Sequence, residues 1–389
     1  MAQRVFKLPG VDKLTKDQEL ARNLQLEGQH LIIGGPGTGK SVVALLRVKQ
    51  LADENKNYIF LVFNRLLKHS CFLLADQKLV SEQWQAWFLK LFTGLFKGVD
   101  IPRLPLEPKQ TLADFDWDRI LEMIHSIELS EPLTELPYIV IDEGQDMPLG
   151  FYQALSALNY ENFYVVADQN QQIMVGQNSS RTDLEDVLAI DSDDVIELKT
   201  NHRNNYNTAF LARQFYTGDP SSPLPELPNK LTHNVLKPLL FNYQAEQFNR
   251  ICNKILLIAK SYPSKLVAII TPNNNIRFRF FNELNKQLSF LERTAPLVST
   301  YQHGDAENIP FDQGGIMVIN AQACKGLEFD YVFIADIDKY QPHDIEHTKK
   351  LFYVMTSRAT ERVFLLSERE KDYPVYPIIP KDAEILEIK

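Results

Sequence analysis

The sequence predicts an α/β protein built from two parallel-sheet lobes. Three observations carry this. Short, unbroken apolar runs alternate with helical patterns in both halves of the chain. A glycine-rich turn joins the first such run to the first long helix. Acidic residues stand at the ends of two later runs, Asp142-Glu143 and Asp168. Strands that are apolar throughout belong to parallel sheets, which are covered on both faces. In those sheets ligands sit at the carboxyl ends of the strands.

The elements follow in order. Thr15 and Gln18 have capping-box spacing and open a helix expected to reach Leu26. Leu31–Ile33 is the first strand and Ser41–Asn55 its crossover helix. Tyr58–Phe63 is the next strand. From Ser70 to Glu135 the pattern changes: Trp84, Trp87, Phe88, Phe92, Phe96 and Trp117 sit among charges, and Pro102, Pro105 and Pro108 break a loop. This reads as a small helical insertion whose aromatics form its own core rather than a ligand platform. Tyr138–Ile141, Phe163–Ala167 and Val195–Leu198 complete the first half. A helical stretch follows Asn204, and then a proline-rich linker, Pro220–Pro228. The second half alternates again: strand Leu239–Tyr243, helix Glu246–Ala259, strand Leu266–Ile270, helix Ile276–Leu288, then strands Ile316–Ile319, Tyr331–Ala335 and Val363–Leu366. The expected division is 1–199 and 200–389, with the insertion at about 70–135.

Composition narrows the class. The chain has 389 residues, 44% hydrophobic and 23% charged, which is ordinary for a soluble globular protein. Its net charge of −9 provides no global basic field, so any nucleic-acid site has to be a local groove. Cys71, Cys252 and Cys324 are isolated and lack metal-site spacing. Met1–Gly10 lacks the apolar core of a secretory signal, and no apolar run approaches the ~18 residues of a membrane helix. The expectation is a cytoplasmic protein with no membrane partner.

The stretch with the most chemistry runs from Gly34 to Ser41 and fits G-x-x-x-x-G-K-[ST] at every fixed position. Gly35, Pro36, Gly37, Thr38 and Gly39 would turn backbone N–H groups toward an anion, at the positive end of the following helix. Lys40 adds a mobile charge for the β- and γ-phosphates, and Ser41 a hydroxyl for Mg²⁺. Tyr138–Ile141 delivers Asp142 and Glu143 at its tip. Asp142 can share Mg²⁺ with Ser41, and Glu143 is placed to deprotonate an attacking water. The expected cofactors are ATP and Mg²⁺.

Asp142-Glu143-Gly144-Gln145-Asp146 resembles the D-E-x-Q-D signature of superfamily 1A helicases, the UvrD/Rep/PcrA group. The other motifs fall in the family's order. Gln18 matches its adenine-reading glutamine, although the same residue also suits a helix cap. Asp168–Gln171 resembles G-D-x-x-Q, where Gln171 would sense the γ-phosphate. Leu198–Asn204 resembles the N-Y-R motif, making Arg203 a candidate arginine finger. Lys325–Asp330 matches K-G-L-E-[FW]-D, with Glu328 the implied ribose contact. Tyr353–Ala359 resembles the last motif, with Arg358 a second γ-phosphate arginine. The resemblance implies two RecA-like lobes that clamp ATP between them.

The pattern departs from the family at identifiable places. Met174 and Gly176 stand where aromatics usually stack on bases, a contact worth ~1–3 kcal/mol per base. His202 replaces the tyrosine that packs on adenine. Asn320 and Gln322 replace Thr and His. Phe63-Asn64-Arg65 loosely resembles a base-stacking segment, although Phe63 also reads as strand core. Little lies between Asn204 and Asn320 beyond the lobe itself, so the family's large second-lobe insertion is absent or vestigial. The implied function is an ATP-dependent DNA helicase or single-strand translocase acting on single-stranded or partly duplex DNA, with RNA still open. The competing reading is a nucleotide-gated ATPase subunit that regulates a partner, such as a nuclease in DNA repair or antiviral defence. A P-loop kinase is third, opposed by the two arginine motifs and by D-E-x-Q-D.

Overall fold

The computed structural model describes residues 4, 8–75, 79–106, 113–126, 135–172, 178–230, 236–288, 295–301, 309–341 and 344–389. Met174, Gly176 and Pro108 lie outside the described residues. Within them the chain forms two parallel sheets with helices against both faces, a mixed α/β fold of two RecA-like lobes.

The first lobe contains, in order, α1 (Lys16–Arg22), β1 (Gln29–Gly34), α2 (Lys40–Asp53), β2 (Tyr58–Val62), α3 (Arg65–Leu74), β3 (Ser81–Gln83), α4 (Trp84–Leu95), α5 (Trp117–Ser126), β4 (Tyr138–Ile141), α6 (Leu149–Ala157), β5 (Phe163–Ala167), α7 (Arg181–Val187) and β6 (Ile196–Leu198). Its strand order is β3-β2-β4-β5-β1-β6. Every pairing is parallel, so each connection has to cross over, and the apolar strands are sandwiched between helices. All five residues of β5 are buried. The order sets β4, β5 and β1 side by side, with Ile141 opposite Val165 and Ile33 opposite Ala167. The tips that carry Asp142, Asp168 and the phosphate loop are therefore neighbours.

The second lobe contains α8 (Tyr206–Arg213), β7 (Leu239–Asn242), α9 (Phe248–Ser261), β8 (Leu266–Thr271), α10 (Asn274–Leu288), β9 (Val298–Thr300), β10 (Gly315–Asn320), β11 (Phe329–Ile334), α11 (Ile345–Thr356), β12 (Ala359–Ser367) and β13 (Glu387–Ile388). Its order is β13-β7-β12-β11-β8-β10-β9, again with parallel pairings.

Three expectations need correction. Helix α1 stops at Arg22 rather than Leu26. The guanidinium of Arg47 takes the carbonyls of Leu24 and Gln25, at 3.0 Å each, and draws the chain out of helical geometry. The segment 70–135 is not a separate aromatic unit. It contributes β3 to the edge of the first sheet, and Trp84, Phe88 and Phe92 share one core with Ile139, Phe151 and Phe163. The proline-rich stretch 220–228 is not a free tether, because Glu226 N–H bonds Lys199 O at 2.8 Å and the segment packs on the first lobe.

The lobes meet along a packed seam. Leu66 of α3 belongs to the second lobe's core, beside Ile309 and Phe311. His69 Nε2 lies 2.9 Å from Ile309 O. Among the described residues no helix is long and apolar enough to cross a membrane.

Candidate functional site

A cleft of about 430 Å³ opens between the lobes. From the first lobe it is lined by Gln18, Gly37, Lys40, Ser41, Glu143 and Gln171. From the second side come His202, Arg203, Glu328 and Arg358. The fold thus gathers the residues singled out in the sequence from seven separate segments.

The phosphate loop forms as its glycines require. Gly39 caps α2 with φ +90°, and Gly37 has φ +79°. A Cβ on Gly39 would collide with the Gln18 amide. Thr38 Oγ1 donates to Gly35 O at 2.8 Å and pins the loop. Lys40 Nζ donates to Gly35 O at 3.1 Å and lies 3.7 Å from Asp168 Oδ2. Burial pushes the Lys40 amine down, and the charge of Asp168 opposes this.

Asp142 is fully buried. Its Oδ1 accepts from Glu143 N at 3.0 Å, whereas Oδ2 has no protein hydrogen-bond partner. Burial, and then the charge of Glu143, push its pKa up to about 6, while Ser41 and Lys40 pull it down. An orphaned carboxylate oxygen beside a serine hydroxyl is a fitting place for Mg²⁺, which takes one or two protein ligands and completes its shell with phosphates and water. No group of three or more potential His, Cys, Asp or Glu ligands occurs among the described residues. Glu143 has φ +58°, rare for a side chain with a Cβ. Its carboxylate accepts from Gln145 Nε2 at 2.7 Å. Burial raises the Glu143 carboxyl, but Lys325, Lys40 and Arg358 outweigh it and the net direction is down. That direction favours the ionised carboxylate.

The second lobe reaches into this arrangement with three cations. Arg358 is 1% exposed. Its Nε donates to Val354 O at 3.0 Å, and its Nη2 donates across the seam to Gln171 Oε1. Arg203 Nε donates to Glu328 Oε2 at 2.9 Å. Lys325, also 1% exposed, bonds Gln171 O and lies 2.5 Å from Asp146 Oδ2. Sequence reasoning passed over Lys325 and Asp146 as functional residues. The signal was available, since each is a charged end of a motif already quoted.

Other expected roles find different partners in this structure. The Gln18 amide accepts from Thr15 N at 3.1 Å and donates to Thr38 O at 2.9 Å, so it braces both its own helix and the phosphate loop. His202 N–H bonds Gly37 O at 2.8 Å, and burial lowers the ring's pKa, leaving a neutral imidazole on the cleft wall. Glu328 faces Arg203 and remains 42% exposed as a side chain. Phe63 packs against the first lobe's core, as a strand residue does. Asn320 accepts from Thr271 Oγ1 at 3.0 Å and donates to Asn274 Oδ1 at 2.7 Å, forming a polar ladder at the carboxyl ends of β8 and β10.

Two parallel-sheet lobes sharing one phosphate-loop cleft define a two-lobed P-loop protein. Residues 315–366 match the UvrD-like helicase C-terminal domain and residues 18–177 match an AAA domain family, which together support a UvrD/Rep-like superfamily 1 helicase. A probable DNA helicase of Mycoplasma pneumoniae is 26% identical over 286 residues, covering 68% of this chain and 50% of the relative. The chain thus spans half the length of that curated relative. A solved structure, the C-terminal domain of a possible DNA helicase from Lactobacillus plantarum WCFS1, is 17% identical with a TM-score of 0.34, covering 48% of this chain and 97% of that one.

Proposed function

We propose that the chain hydrolyses ATP in the interlobe cleft and uses the cycle to move along, or separate, DNA strands. The observation that carries this reading is the contact of Arg358, on the second lobe, with Gln171, on the first, in the cleft that also holds Lys40 and Glu143. Phosphoryl transfer spreads negative charge over the transferred group, and preorganised cations stabilise it. Lys40, Arg203 and Arg358 supply that charge from both lobes. Glu143 accepts the proton of the attacking water. Ser41 and Asp142 would hold Mg²⁺, which when bound offsets phosphate charge. Gln171 would report the γ-phosphate to the second lobe. Because the arginines sit on the far lobe, closure depends on the triphosphate and relaxes after hydrolysis.

In this reading the lobes divide near residue 199, and no large domain interrupts 204–320. The strand crosses the carboxyl ends of the two sheets, where Asn274 and Asn320 can bond phosphates. The setting is cytoplasmic. The reported relatives give no support to a partner nuclease, or to roles in repair or antiviral defence. The test is the ATPase rate with and without single-stranded DNA, paired with a strand-displacement assay. Stimulation with displacement is the result expected of a helicase, and stimulation without it that of a translocase. A rate indifferent to DNA would overturn this reading in favour of a nucleotide-gated ATPase subunit.

A further inference from the structure

The chain does not pass directly from one lobe to the other. After β6 it enters the second lobe, where Leu211 and Ala212 of α8 and the following Phe215 join the core. It then doubles back. Ser222, 1% exposed, accepts a hydrogen bond at its Oγ from Gln169 N at 2.8 Å. Asn170 Nδ2 donates to the carbonyls of Asp219 and Ser222, both at 3.4 Å, and Thr217 Oγ1 donates to Asn170 Oδ1 at 3.4 Å. A Cβ on Gly35 of the phosphate loop would collide with the ring of Pro225. At the near end of the same strap, the Tyr216 ring meets that of Tyr353 on α11, with centroids 6.1 Å apart. Helix α11 leads directly to Arg358.

The strap therefore grips the turn Gln169–Gln171 from outside while touching the helix that delivers the arginine to it. Gln171 accepts from Arg358 and, through its carbonyl, from Lys325. We infer that residues 217–222 form a positioning strap for Gln171, with Ser222 and Asn170 as its positioning residues. The physical argument is one of register. Gln169 N–H is buried, and an unpaired buried backbone donor is costly, so removing the Ser222 hydroxyl makes the turn shift to find another partner. A shift of ~1 Å at a reacting site costs up to ~10²-fold in rate.

This inference rests on the ATP-hydrolysing reading above and is tested with it. Steady-state ATPase kinetics with single-stranded DNA are measured for the unmodified protein, S222A, S222T, Q171A and the S222A/Q171A double variant. S222A should lower kcat about tenfold and leave KM within about twofold, because binding by the phosphate loop is untouched. S222T, which keeps the hydroxyl, should retain activity. In the Q171A background S222A should cause no further loss, since its effect acts through Gln171. N170A provides a second, independent variant with the same expected non-additivity. Losses that multiply in the double variants, or an unchanged kcat in S222A and N170A, would overturn the strap's role while leaving the ATPase reading intact. An unmodified protein without ATPase activity would overturn both.

Discussion

Lys325 Nζ, from the second lobe, lies 2.5 Å from Asp146 Oδ2 and 3.9 Å from Glu143 Oε2, both on the first. All three groups are buried, so this is a charged bolt through the seam rather than a surface pair. Breaking a buried ion pair from one side costs roughly 3–5 kcal/mol, because the partner is left as an uncompensated charge. Here the cost falls on the closed arrangement of the lobes. Lys325→Ala should therefore reduce ATP turnover at least about tenfold while the phosphate loop still binds nucleotide. Comparison of kcat with the dissociation constant of a fluorescent ATP analogue checks this. A normal rate would show that the bolt has no part in turnover.

Glu143 presents the clearest test of the chemistry. It is fully buried, its carboxyl is held low by three cations, and its backbone occupies a left-handed conformation that aims the side chain into the cleft. Glu143→Gln keeps the shape and removes the proposed base. We expect ATP binding to persist and single-turnover hydrolysis to fall by ~10²–10⁴-fold. Ordinary turnover in this variant would move the proton acceptor elsewhere.

Asp146 gives a prediction in pH. Burial pushes its carboxyl up from 3.8 to about 7, with Lys325 opposing and Glu143 adding to the rise. The folded protein then binds more protons than the unfolded chain between these values. Stability contributed by this group is complete below about pH 3.8 and is lost as pH rises through about 7. Urea unfolding at pH 5 and pH 8 should show this decline in the unmodified protein, and Asp146→Asn should flatten it. An equal slope in the two proteins would assign the pH dependence to other groups.

The sequence was legible where one local pattern suffices. Tyr138–Ile141 and Phe163–Ala167 form strands with the predicted bounds because a buried parallel strand is a bare apolar run closed by a polar tip. β3, β9 and β13 were missed because runs of two or three residues cannot show a period. The end of α1 depends on Arg47, a residue of the next helix, which no local pattern contains. The candidate site follows the same rule. Lys40, Ser41, Asp142 and Glu143 announce themselves by spacing along one strand and one loop. The contacts of Lys325 with Asp146, and of Ser222 with the turn at Gln169, join segments far apart in the chain and become visible only when the lobes are packed.

Arg358 is the residue expected to separate binding from catalysis. Its guanidinium is fully enclosed and spends its donors on Val354 O, Leu327 O and Gln171 Oε1. Burial lowers its pKa, and the neighbouring Arg203 lowers it further. Two cations held close together in a buried site repel each other unless negative charge arrives between them. The γ-phosphate of ATP brings that charge, and its transfer redistributes it over oxygens that preorganised cations stabilise. Arg358→Ala should therefore lower kcat by on the order of 10³-fold and change ATP affinity far less. Arg358→Lys should recover little, because an ammonium cannot donate to Gln171 and to a phosphate oxygen in the same fork. Stopped-flow binding and single-turnover hydrolysis on the same samples make the comparison. Equal losses in affinity and rate would mean that Arg358 serves the closed fold and not the transition state.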